Sequence, residues 1–237
     1  METFVSSPKS EKWTAVYFLY DKVLKAKSAK LRGSNTKELL SLDTWFQREL
    51  PSSIAERTDK HITHTELTKL MKWKLMRGKF RPRLQQLVET NSTDDVIEAS
   101  KEAFQSLPDL SSAVKRLTVL KAVGPATASA VLAAGAPAHA PFMADEAMLA
   151  LPGFQPLQYT LPAYIRFAEQ VSIISKRLAE QDPQFRWTPH KVELTLWTYH
   201  VGQTLCPDLF GDSLSSPLNS RTSDACCDEP VVKKKKI

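Results

Sequence analysis

Two groups of residues have the types and spacing to engage a polyanion. The first is the turn Lys121-Ala-Val-Gly-Pro125, flanked by apolar positions at helical spacing: Leu117, Leu120 and Val123 before it, and Ala128, Val131 and Leu132 after it. This spacing predicts a helix, a tight turn and a second helix. Gly124 is expected to supply the backbone dihedrals of the turn, and Pro125 has the fixed φ of a first helical position. Amides at the start of the second helix have no partner within it, and with the positive end of the helix dipole they suit a phosphate. The second group is the run Leu67–Leu84. There Lys69, Lys72, Lys74, Arg77, Lys79, Arg81 and Arg83 place seven positive charges with no acid between them. Such clusters release counterions from a nucleic acid and give salt-dependent affinity. The plain alternative is a solvated helix face whose aliphatic stems cover the core. Trp73 within the run is either a stacking group or a core residue.

Downstream, Asp145 follows Gly124 by 21 residues and opens the helical run Asp145–Leu151. Taken alone, it reads as an N-cap. Taken with the turn, it carries a resemblance. Leu120-Lys-Ala-Val-Gly-Pro-Ala-Thr-Ala128 resembles the helix-hairpin-helix signature of DNA binders without sequence specificity. The placement of Asp145 resembles that of the essential aspartate in the helix-hairpin-helix DNA glycosylases, the endonuclease III-like and alkyl-base-excising group. Trp187–Gly202 is similar to the closing helix of that fold. The resemblance covers Ser112 to about Gly202, in separated pieces.

The resemblance implies an all-α, two-lobed helical DNA glycosylase-like fold with the hairpin at about 112–134. It implies that the amides of Val123, Gly124 and Ala126, with Lys121 and Thr127, hold a DNA strand. Lys72, Lys74, Arg77 and Lys79 would add phosphate contacts. Asp145 would stand beside the sugar of a nucleotide turned out of the stack, because a stacked base cannot enter a pocket. There its charge would stabilise an oxocarbenium-like state and orient a water.

The chain also departs from that family. Ala122 stands where the first hairpin glycine is usual, so the loop must accommodate a methyl group. Ala126 stands where bifunctional members carry a Schiff-base lysine, so imine chemistry is excluded at that position. Three cysteines, Cys206, Cys226 and Cys227, are too few for a four-cysteine iron–sulfur cluster. The expected activity is therefore monofunctional base excision without a cofactor. A non-catalytic DNA or chromatin scaffold that keeps the fold is the alternative, and a helical protein-interaction domain is a third reading.

The elements that must position these residues read as helices. The 237 residues are 42% hydrophobic, enough for a sizeable core, and carry a net charge of +6. Residues 1–10 read as a flexible arm, 11–205 as one helical domain and 206–237 as a disordered tail. The Lys233–Lys236 run in that tail suggests nuclear import, with the cytoplasm as the alternative. Amphipathic helices are expected over 11–30 and over 37–50, the latter stopped by Pro51. Others should start near Thr63 or Thr65, span Leu84–Thr90, and begin behind Ser92. Ser111 or Ser112 is expected to cap the first hairpin helix, and Gly135–Met143 reads as a loop. Thr160–Gln181 and Pro189–Thr204 read as the last two helices. Glu146 is expected to face solvent. Trp187, Trp197 and Tyr199 line either a base pocket or the core. His139, His190 and His200 lack metal-ligand spacing. The cysteine count suits a reducing compartment, and neither a membrane span nor a leader is read. A monomer binding DNA through its phosphates is the expected assembly.

Overall fold

Side-chain caps fix where the longer helices begin. The computed structural model describes residues 4–7, 9–31 and 33–210, and places twelve α-helices and no strand among them. They are α1 (Ser10–Tyr17), α2 (Tyr20–Ser28), α3 (Asn35–Thr44), α4 (Leu50–Glu56), α5 (His64–Arg77), α6 (Pro82–Val88), α7 (Thr93–Gln105), α8 (Leu110–Leu117), α9 (Pro125–Gly135), α10 (Asp145–Leu149), α11 (Leu161–Gln181) and α12 (Pro189–Leu205). A capping box opens α5. The Thr63 hydroxyl accepts the Glu66 amide, and the Glu66 carboxylate accepts the Thr63 amide. Ser92, Thr160 and Thr188 cap α7, α11 and α12 in the simpler way. The fold is all-α, as the helical spacing requires.

Several boundaries differ from those the spacing predicts. The 11–30 stretch is two helices, broken at Phe18 and Leu19. Pro51 does not stop its helix. Trp45–Glu49 widens into a π-helical turn, and Pro51 follows it in the first turn of α4. There its missing N–H costs no ladder bond. Asp109, not Ser111 or Ser112, caps α8 by accepting the Ser112 amide at 3.1 Å. The N-terminal segment is not a free arm where it is described. Phe4 stacks on Tyr199 with ring centroids 4.5 Å apart, and the Ser7 carbonyl accepts from the Trp13 indole and from Arg177. The expected disordered tail beyond Phe210 and its Lys233–Lys236 signal lie outside the described residues.

Two helices organise the packing. α12 runs against α1, α2, α10 and α11, so the two ends of the domain meet. α9 packs among α4, α5, α7 and α8. Every side chain from Thr127 to Ala134 is buried, and all but Val131 and Leu132 are alanine, serine or threonine. Such short side chains let neighbouring backbones approach. At Gly135 the approach is close enough that a Cβ would fall 2.4 Å from the Phe104 ring. Within the described residues no helix is long and apolar enough to cross a membrane.

Candidate functional site

The turn between α8 and α9 is built by apolar anchors and one clamp. Leu117, Leu120 and Val123 are buried and pin both sides of the turn to the core. Asn91, at the end of the preceding α6–α7 link, accepts the Lys121 amide at 2.8 Å and donates to the Lys121 carbonyl at 3.1 Å. Between these anchors the chain turns through Ala122, whose φ is +64°. A left-handed alanine costs roughly 1–2 kcal/mol relative to the ordinary region. The clamp and the buried leucines therefore hold a conformation that the residue itself disfavours. Gly124 does not supply the positive φ expected of it. Its φ is −90° and its ψ −177°, and a Cβ built there meets nothing within 4 Å. The fold does not require a glycine at this position, whereas a ligand approaching the backbone would.

The amides of the turn divide. Val123 donates to the Leu120 carbonyl at 3.2 Å, so this amide is not available to a strand, contrary to expectation. No hydrogen bond among the described residues uses the amides of Gly124 or Ala126. Both point from the first turn of α9, where the helix offers no internal acceptor.

From the far end of α9 the chain returns through Ala136–Ala144 to bring Asp145 beside that turn. The Ser129 hydroxyl, midway along α9, accepts the Met143 amide at 2.9 Å, and the Tyr164 hydroxyl donates to the Pro141 carbonyl at 3.3 Å. Asp145 is the first residue of α10 and Ala144 is its N-cap; the carboxylate makes no capping bond. Its Oδ2 instead accepts the Tyr159 hydroxyl at 2.7 Å.

Asp145, Glu146, Gly124–Thr127, Lys74, Lys79, Arg81 and Tyr159 line one cavity of about 230 Å³. That volume is below the range typical of drug-sized ligands and suits a single ring system. The Arg81 guanidinium lies over the Tyr159 ring, 5.1 Å from its centroid. Burial raises the Tyr159 pKa, and its hydrogen bond to Asp145 raises it further, so the phenol stays a donor. Burial pulls the Lys74 ammonium down to about 8; Arg81 adds to this and the Asp145 carboxylate opposes it. None of the ion pairs among the described residues involves Lys74, Lys79 or Arg81. The pocket thus combines one hydrogen-bonded carboxylate with cations that no acid neutralises. Glu146 is not solvated as expected: it pairs with Lys27 at 3.0 Å and faces the same cavity.

The basic run is not a continuous stripe. Lys72 faces away from the cavity and pairs with Glu38. Arg77 is a core residue, 1% exposed, whose Nη1 and Nη2 donate to Glu193 Oε1 at 3.2 Å each. Its guanidinium sits 4.3 Å from the Trp197 ring centroid and 5.4 Å from that of Trp73. Trp73 is buried as well, stacked on Phe46 at 3.6 Å, and donates to Asp43 at 2.9 Å. Trp187 and Trp197 are core residues, Tyr199 packs on Phe4, and none of the three reaches the cavity. Lys121 is exposed but belongs to the outer side of the turn, against Thr90 and Asn91. Of the residues singled out by sequence, Asp145, Gly124, Ala126, Thr127, Lys74 and Lys79 converge. Arg81 belonged to the basic run but was not singled out, and Tyr159 lies in a loop without periodicity, so no local pattern marked it.

The described residues thus define an all-helical protein with a carboxylate pocket against a helix–turn–helix. Comparison of the chain with protein-family models, with curated proteins and with solved structures gave no match. Among the described residues no three His, Cys, Asp or Glu side chains gather as a metal ion would require.

Proposed function

We propose that this protein binds DNA through the face carrying the α8–α9 turn and hydrolyses the N-glycosidic bond of a nucleotide turned out into the Asp145 cavity. One observation carries this reading: a carboxylate that caps no helix shares a cavity with the unbonded amides of a helix start. The amides of Gly124 and Ala126 suit a phosphate, with Lys79 and Arg81 adding positive charge across the cavity. Asp145 then lies within the span of one nucleotide from that phosphate. Leaving-base departure places positive charge on the sugar, and a fixed carboxylate in a partly dry pocket stabilises it. The Tyr159 bond to Oδ2 fixes the carboxylate's orientation and leaves Oδ1 for the sugar or for a water.

Asp145→Asn tests the reading, because it keeps the side chain's size and removes the charge. Parent and variant are incubated with duplexes carrying uracil, alkylated, oxidised or mismatched bases, and base release and binding are both measured. Release by the variant is expected to fall by about a hundredfold or more, with binding retained. Equal release by the two proteins would rule out this mechanism. Tight binding by the parent without release of any base would favour the scaffold reading. The expected products are abasic strands that break only after alkali, since Ala126 offers no amine and Lys74 is mostly protonated at neutral pH. Scission without alkali would implicate an amine of the cavity as nucleophile.

A further inference from the structure

Phe80 presents 72% of its surface to water, more than any other aromatic side chain among the described residues. A lone exposed ring is ordinary on a protein surface. Its position is not. It lies in the short link between α5 and α6, and its chain neighbours on both sides, Lys79 and Arg81, line the Asp145 cavity. Consecutive Cα atoms are about 3.8 Å apart, so the ring stands on the rim of that cavity. On its other side it borders a separate groove with Leu75, Met76 and Pro82. Lys79, Arg81 and Arg83 form no ion pair among the described residues. The ridge is therefore a flat apolar group set between unneutralised cations.

We propose that Phe80 enters the DNA duplex at the step vacated by the extruded nucleotide and stacks on the bases that remain. The inference rests on the DNA reading above. Turning a nucleotide out of the helix leaves two unstacked base faces, and apolar side chains placed at such steps compensate the loss. An aromatic face stacked on a base contributes about 1–3 kcal/mol. The charges beside Phe80 match the phosphates that flank the gap, which selects a nucleic acid over an apolar peptide as the occupant of this ridge.

The test uses the full chain, Phe80→Ala and Phe80→Trp, with two duplexes of one sequence. One is fully paired. The other carries a stable tetrahydrofuran abasic analogue beside 2-aminopurine, whose fluorescence reports stacking. The parent is expected to prefer the abasic duplex and to change the 2-aminopurine signal. Phe80→Ala should lower affinity for the abasic duplex about tenfold, change affinity for the paired duplex little, and lose the fluorescence response. Phe80→Trp should retain all three properties. Phe80 is exposed, so unchanged helicity by circular dichroism is expected in both variants. If Phe80→Ala keeps the parent's preference and signal, the stacking role is wrong while DNA binding stands. If the parent binds neither duplex, the DNA reading itself falls and takes this inference with it.

Discussion

The two halves of the Leu67–Leu84 basic run have the same composition and opposite surroundings. Along α5 the charges are used internally: Lys69 lies 4.4 Å from the Trp45 ring centroid, Lys72 pairs with Glu38, and Arg77 is buried against Glu193. After Gly78 the chain leaves the helix, and Lys79, Arg81 and Arg83 are exposed and, among the described residues, unpaired. Lys74 marks the boundary. It is one turn from Arg77 on α5, yet it opens on the Asp145 cavity, whereas Arg77 closes on the core. The difference lies in what each half meets. Where a cation meets a carboxylate inside the protein it fastens helices, and where it meets none it remains available to a partner.

The largest effect that would sharpen this contrast is expected at Arg77. Its guanidinium joins α5 to α12, and around it Asp43 also accepts from Tyr20 at 2.7 Å. Arg77→Met would leave Glu193 buried without its partner, at a cost of about 3–5 kcal/mol. For a domain of this size that lowers Tm by about 10 °C. Burial already pushes the Glu193 carboxyl up to about 7, against the pull of Arg77. In Arg77→Met that carboxyl must ionise unpaired, so the loss should be small near pH 5 and grow as pH rises to 8. Denaturation at both values checks this, and Arg77→Met with Glu193→Leu should recover most of the stability. A loss of DNA affinity at full stability would instead return Arg77 to the binding surface.

A middle-sized effect separates the two halves directly. Replacing Lys79, Arg81 and Arg83 by alanine should weaken DNA binding and flatten its salt dependence by up to about 0.9 in log–log slope for each phosphate left without its cation. Lys69→Ala with Lys72→Ala should leave the slope as in the parent. Equal flattening by both sets, read in a salt titration of affinity, would show that the run acts as one surface.

The smallest effect concerns Lys74. With its pKa held near 8, the side chain is charged at pH 7 and largely neutral at pH 9. Phosphate binding favours the charged form, so DNA affinity should fall several-fold as pH rises across that interval. Lys74→Met should bind more weakly at pH 7 and show little of that decline. An identical decline in parent and variant would place the titrating group elsewhere.

The sequence by itself determined the helices and the turn. Period and caps located α5, α7, α11 and α12 to within a few residues, because an apolar stripe and an N-terminal Thr or Ser act over one or two turns of chain. It also placed the α8–α9 turn and singled out Asp145 at the start of α10. What it misjudged were properties set by distant contacts. Val123 loses its amide to Leu120, and Ala122, not Gly124, takes the left-handed conformation because Asn91, about thirty positions earlier in the chain, clamps Lys121. The convergence of Asp145 with Tyr159, Arg81 and Lys74, and the burial of Arg77 on Glu193, 116 positions further along the chain, were decided only by tertiary structure. Local spacing fixes backbone conformation through neighbours a few residues away. Whether a charge is buried and paired or left open depends on which remote helix packs against it, and no periodicity in the chain encodes that meeting.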